Sequence, residues 1–140
     1  MINEWVCQIK EADQSAYSVS GEGAKNLWII CTQKDLTTEN EIQLNAIIQA
    51  IRYDPAKDCK LLRISERTSV SDIIHTPISH LLVFGIPPEY IGYNIEVQWY
   101  EPLYFEQFTA IFSESLEALS KDKAKKARLW TSLKKVFLES

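Results

Sequence analysis

The hydrophobic pattern changes period several times along the chain, and each change marks an element. Leu27–Cys31 (LWIIC) is a continuous apolar run, the mark of a strand covered on both faces. TTENEIQLNAIIQAIRY (Thr37–Tyr53) then switches to helical spacing, with Leu44, Ile47, Ile48 and Ile51 at i, i+3, i+4, i+7. Thr38 and Glu41 have capping-box spacing at its start. Asp54-Pro55 is expected to end it, because proline disfavours helical geometry in the residue before it. Leu61–Ile64 reads as a second short strand and Ser71–Ile74 as one helical turn. Leu81–Phe84 (LLVF) is a third apolar run, stopped by Gly85-Ile86-Pro87-Pro88. Tyr93–Trp99 alternates strictly and reads as a half-exposed strand, an edge addition or part of a hairpin. Phe108–Phe112 is a fifth candidate strand, and Ser113–Leu119 a turn entering a short helix. Ser120 is placed to cap a last helix over Lys121–Leu138.

Buried apolar strands interleaved with amphipathic helices indicate an α/β layer structure with a largely parallel sheet. Ahead of it, Ile2, Trp5, Val6 and Ile9 form the stripe of a short helix. A helix this short is not stable alone in water, so it either docks on its own domain or serves as a partner-binding arm. Gly21 and Gly23 in SGEGAKN (Ser20–Asn26) read as a flexible joint. The organisation expected is an N-terminal segment and linker over 1–25 and one α/β domain over 26–140.

The last helix decides how the charge is read. Taking Ala124 as the origin and about 100° per residue, Val136, Leu129, Leu133, Phe137 and Trp130 fall at roughly 120°, 140°, 180°, 220° and 240°. Lys135, Arg128, Lys121 and Lys125 fall at roughly 20°, 40°, 60° and 100°. Trp130 therefore reads as a core anchor. The four cations read as an outward ridge, either solvated or facing an acidic partner surface or phosphate. Net charge is −4, yet it divides unevenly: residues 121–140 hold seven Lys/Arg against two acids, and residues 1–120 hold eight against seventeen. The acidic balance argues against non-specific nucleic-acid binding by the whole molecule, which needs many phosphate-neutralising cations.

Catalytic chemistry is hard to assemble from these residues. Cys7, Cys31 and Cys59 are odd in number and lack a CxxC pair, so a disulfide framework is not expected and a reducing cytoplasm fits. No secretory leader or apolar run of membrane-spanning length is read. Cys31 with His75 or His80 is the one conceivable nucleophile–base pair, but Cys31 sits in an apolar strand where thiols act as small apolar groups. His75 and His80 lack the nearby cysteines of a zinc site. Gly21 and Gly23 precede a strand, and the turn after the first strand (TQKDLTTE) has no glycine, which disfavours a phosphate loop. The acid pairs Glu39/Glu41, Asp54/Asp58 and Glu114/Glu117 fall on expected surfaces. No catalytic, metal or cofactor residue is assigned. If a ligand were bound, the loops after the strands (Thr32–Thr37, Gly85–Glu89, Ser113–Leu116) would hold it, as in open parallel sheets generally.

Four stretches carry a resemblance: LLVFGIPP (Leu81–Pro88), YNIEVQWYEP (Tyr93–Pro102), FSESLEAL (Phe112–Leu119) and KAKKARLWTSLKKVF (Lys123–Phe137). Together they resemble the psi subunit of bacterial DNA polymerase III holoenzyme. The best pieces are the Ser-Leu turn after the last strand and Ala127, Leu129 and Trp130 in ARLW; the likeness spans about 26–138. The resemblance implies a three-layer α/β/α domain related to uracil-DNA glycosylases, with a mainly parallel sheet of about four strands and room for an extra edge strand. It implies no catalysis and no cofactor. Glycosylase motifs would fall at CTQKDLTT and FSESLEAL, but the first lacks an Asp-Pro-Tyr set and Phe112-Ser113 stands where a catalytic His-Pro would. The implied role is a clamp-loader adaptor. Its N-terminal segment, here Ile2, Trp5, Val6 and Ile9, would contact the clamp-loader ATPase subunits. Its body would contact a small accessory subunit that reaches single-strand-binding protein.

Overall fold

The structure, a computed structural model, describes residues 17–65, 77–91 and 98–138. Ile2, Trp5, Val6 and Ile9, the turn at Ser71–Ile74 and most of the alternating stretch Tyr93–Trp99 lie outside the described residues. In chain order the elements are β1 (Tyr17–Ser20), β2 (Leu27–Thr32), α1 (Thr38–Ala50), β3 (Cys59–Ile64) and β4 (His80–Phe84). A 3₁₀ turn (Pro88–Ile91), β5 (Pro102–Tyr104), β6 (Thr109–Ser113), α2 (Leu116–Lys121) and α3 (Lys123–Leu133) follow, and α3 runs on into a π-helical turn (Lys134–Leu138).

The strands form one six-stranded mixed sheet in the order β1-β3-β2-β4-β6-β5. The inner four are parallel, with Leu27 level with both Cys59 and His80. The outer two are antiparallel: β1 runs against β3 and β5 against β6. The expected sheet of about four mainly parallel strands with an extra edge strand is roughly matched: four parallel strands form its centre, and among the described residues two antiparallel edge strands bring the count to six. The described strand beside β6 is β5; of the Tyr93–Trp99 stretch only Gln98 and Trp99 are described, and Trp99 lies in a turn. Pro102 opens β5 at the sheet edge, where a missing N–H costs no ladder bond.

The apolar runs are buried on both faces, as a central parallel sheet requires. Leu27, Ile29 and Cys31 of β2, Leu82 and Phe84 of β4 and Ile111 of β6 face the helices. They meet Leu44, Ile47, Ile48 and Ile51 from the α1 segment, Leu116 and Leu119 of α2, and Leu129 and Leu133 of α3. Each fully buried aliphatic side chain stabilises the fold by about 1.5–3 kcal/mol. On the opposite face Trp28, Ile30, Leu62, Ile64, Leu81, Val83, Ala110 and Phe112 are covered by Ile86 and by the partly buried Ile78, Trp99, Leu103, Phe105 and Phe108. Among the described residues all three α-helices pack on one face of the sheet.

Several local expectations shift by a residue or two. Thr37, not Thr38, caps α1: its hydroxyl accepts the Asn40 N–H at 3.2 Å. The helix ends in a Schellman arrangement rather than simply at the proline. Arg52 takes φ +67°, its N–H donates to the Gln49 carbonyl, and the Tyr53 N–H donates to that of Ile48. Asp122, not Ser120, caps α3, its carboxylate accepting the Ala124 and Lys125 amides, while the Ser120 hydroxyl donates to the Glu117 carbonyl.

The glycine segment is no loose joint. Beyond the β1–β3 pairing, the amides of Glu22, Gly23, Ala24 and Lys25 donate to carbonyls of Ala56, Cys59, Lys57 and Asp58. Among the described residues the first strand of the sheet is β1, Tyr17–Ser20.

Candidate interaction surface

Open α/β sheets bind ligands in the crevice beyond the carboxyl ends of their strands. Here that end is occupied by the protein itself. Asp35, in the turn after β2, is 8% exposed, and its carboxylate accepts the Leu116 N–H at 2.6 Å and the Glu117 N–H at 3.1 Å. The Ser115 hydroxyl accepts the Ala118 N–H at 3.1 Å, so the first three amides of α2 are all taken. Buried Asn40 of α1 completes the link, donating to the Asp35 carbonyl at 2.8 Å and to the Glu117 carboxylate at 3.2 Å. Gly85, at φ +70°, lies so close to Ser115 that an added Cβ would sit 2.9 Å from the serine Cβ, and its N–H donates to the Ser113 carbonyl. The loops expected to hold a ligand are thus bonded to one another. Sequence reasoning passed over Asp35, because its partners stand more than eighty residues further along the chain.

The candidate nucleophile fares no better. Burial pushes the Cys31 thiol up to about 12, with the Asp35 charge adding to it. Burial does the same to Cys59, also to about 12, with Asp58 adding. Strand register sets His80 level with Leu27, four positions from Cys31 on the neighbouring strand, or roughly 13 Å along the sheet. His80 is half-buried beside the Phe137 ring, 4.5 Å between centroids, and burial lowers its pKa. His75 lies outside the described residues. Among the described residues no group of three or more His, Cys, Asp or Glu is placed to hold a metal ion.

Two of the four cations of the expected basic ridge are neutralised from within. Lys125 pairs with Glu114 at 2.6 Å, which raises the lysine above its ordinary range. Lys121 pairs with Glu117 at 3.3 Å, one turn away in α2. Arg128 donates to the Trp99 carbonyl at 3.3 Å and lies 5.0 Å over the Tyr100 ring. Tyr100 is held at φ +72°, with its N–H on the Phe112 carbonyl and its own carbonyl accepting from Ser132. Lys135 is exposed. The acid pairs likewise serve structure: Asp54 accepts the Ala56 and Lys57 amides, Asp58 accepts the Asp54 amide, and Glu41 pairs with Arg63 at 2.9 Å.

Compared with known protein families, curated proteins and solved structures, the chain matches none. The surface itself must therefore show where function resides.

Trp130 is the principal correction to the reading of the last helix. Leu129 and Leu133 are buried as expected, but Trp130 is 36% exposed. Ser132 is buried beside them, its hydroxyl donating to the Tyr100 carbonyl, so the inward face of α3 is rotated toward Ser132 and away from Trp130. The π-helical turn then carries Phe137 half out, edge-on against Tyr53 at 5.4 Å. Trp130 borders an apolar groove of about 550 Å³ between α1 and α3. Ile42, Ala46, Ile47 and Ala50 line one wall, and Ala127, Leu129, Trp130 and Leu133 the other. Ile42 is 66% exposed, and Ala46 and Ala50 are exposed on the same wall. Among the described residues no helix is long and apolar enough to cross a membrane.

Proposed function

We propose that the chain is a non-enzymatic adaptor of the DNA replication machinery. It links clamp-loader ATPase subunits to a small accessory subunit associated with single-strand-binding protein, and it works in the cytoplasm. The observation that carries this reading is the resemblance of Leu81–Pro88, Phe112–Leu119 and Lys123–Phe137 to the psi subunit of bacterial DNA polymerase III. On this reading the domain is a catalytically silent relative of the uracil-DNA glycosylase fold, with its second helical layer on the Trp28–Ile30 face of the sheet.

The geometry supports an interaction role over a chemical one. A glycosylase needs a water-activating carboxylate and polarising donors around an open pocket. Of the carboxylates at the strand ends, Asp35 is spent on the amides of α2 and Glu114 on Lys125. The same closure counts against the alternative of a small-ligand domain or enzyme built on the strand-end loops. Direct nucleic-acid binding is not part of the proposal, because Lys121 and Lys125 are paired with carboxylates of the same chain.

Ile2, Trp5, Val6 and Ile9 are proposed as the clamp-loader contact, since aromatic and aliphatic anchors dominate the affinity of most interfaces. Immobilised wild-type protein is expected to retain clamp-loader ATPase subunits, and Trp5→Ala to lose them with its thermal unfolding unchanged. Equal retention by both proteins would remove the N-terminal segment from the model.

A further inference from the structure

The groove between α1 and α3 has a charge asymmetry that selects its occupant. Its α3 wall carries Lys123 and Lys126, and Lys134 lies 6.0 Å over the Trp130 ring beside it. None of these three lysines forms an ion pair among the described residues, unlike Lys121 and Lys125. The α1 wall offers one charged residue, Glu39, and otherwise Gln43 and apolar side chains. The floor is apolar, so an occupant must bring hydrophobic anchors, and the rim is cationic on one side, so it must bring acids along one flank.

Shape narrows the class further. Glu39, Gln43, Ala46 and Ala50 fall at i, i+4, i+7, i+11 of α1, and Lys123, Lys126, Ala127 and Trp130 at i, i+3, i+4, i+7 of α3. With Leu133 at i+10 of α3 the groove is bounded by two helix stripes of about three turns, roughly 15 Å long. Ala46, Ala50 and Ala127 keep its walls low enough for a third helix to settle between Ile42 and Trp130. That is the helix-in-groove mode, read through anchors one turn apart. A second copy of this chain is a poorer occupant, because the same faces of its α1 and α3 bring Lys123 and Lys126 against a single acid, Glu39, and no acidic flank.

We infer that this groove is a docking site for an amphipathic helix of another protein, with apolar anchors on one face and acidic residues along the flank that meets Lys123, Lys126 and Lys134. The inference rests on the adaptor reading and adds to it the chemistry of the segment that the folded body receives. Ile42 and Trp130 contact the anchors. The lysines set orientation and speed encounter.

The test uses the full chain and two fluorescent peptides of about three turns, each held helical by a covalent side-chain link on the face away from the groove. Both carry leucines at i, i+3 and i+7; one has glutamates on its flank, the other lysines at the same places. Anisotropy titration is expected to show the glutamate peptide binding at least tenfold tighter than the lysine peptide, with affinity falling as salt rises. Trp130→Ala and Ile42→Asp should each weaken it tenfold or more, and Lys123→Glu with Lys126→Glu should reverse the preference. Circular dichroism of each variant keeps loss of folding separate from loss of binding. Equal affinity for both peptides, no binding of either, or binding unmoved by the groove substitutions would overturn the inference. So would sedimentation showing a dimer that Trp130→Ala dissolves, which would give the groove to a second copy. Binding seen only after Ile2, Trp5, Val6 and Ile9 are replaced by alanine would give it to the chain's own N-terminal segment, and would also overturn it. Peptide binding needs no clamp-loader subunit, so its failure is distinguishable from failure of the replication role.

Discussion

Asp35→Ala should destabilise the protein by about 3 kcal/mol. The carboxylate accepts two backbone amides, from Leu116 at 2.6 Å and Glu117 at 3.1 Å, at a site only 8% exposed. Hydrogen bonds to a charged group contribute about 1.5–3 kcal/mol each, and removing the acceptor leaves two helix amides without a partner. Taking the lower figure for each bond, because Ser115 still caps α2, gives about 3 kcal/mol for the alanine variant. Asp35→Asn keeps one acceptor oxygen but turns an amide NH₂ toward a second N–H, so about 2 kcal/mol is expected. With a urea slope near 2 kcal/mol/M, the alanine substitution should lower the unfolding midpoint by about 1.5 M without changing the slope. A midpoint shift below about 0.3 M would refute the reasoning and reopen the strand ends as a ligand site. Asn40→Ala should not add to Asp35→Ala in full, since the two residues share one network.

Three further outcomes follow from packing and burial. Leu133→Ala, in the core, should cost about 2–5 kcal/mol in urea unfolding, whereas Trp130→Ala should cost about 1 kcal/mol or less; similar losses would restore Trp130 as a core anchor. Gly21→Ala should lower stability by about 2 kcal/mol or more by thermal unfolding, because φ is +95° and a Cβ would drive into the Cys59 carbonyl oxygen. In a Cys7→Ser background, Cys31 and Cys59 should resist a thiol reagent in the folded protein and react fully in denaturant. Their folded values, about 12, lie above that of an unfolded cysteine, so the unfolded chain loses its thiol protons first. Their contribution is complete below about pH 8.5 and fades as pH rises toward 12, and Cys31→Ala should flatten that alkaline loss.

Elements held by local pattern were legible in the chain. LWIIC, LLVF and the Leu44–Ile51 stripe announce β2, β4 and α1 through their own periodicity. What escaped depends on distant partners. β1 (YSVS) has all four residues exposed and no burial pattern, and it is a strand only because β3 lies beside it. β5 is three residues long and opens with proline. The caps of α1 and α3 slipped because neighbouring hydroxyls and carboxylates compete for the same amides, and geometry alone decides between Thr37 and Thr38 or between Ser120 and Asp122. The groove was hidden for a similar reason. A helical wheel places Trp130 at the margin of the apolar stripe, and only the Ser132–Tyr100 bond sets which margin turns inward. The basic ridge was visible as charge, but its partial neutralisation by Glu114 and Glu117 depends on how α2 meets α3.

The adaptor role is tested most directly by affinity purification of the tagged full-length chain from its native host, followed by mass spectrometry of what is retained. The account predicts recovery of clamp-loader ATPase or polymerase subunits above an untagged control, with depletion of the clamp-loader subunits when Trp5 is replaced by alanine. A retained set without any polymerase or clamp-loader subunit would contradict it.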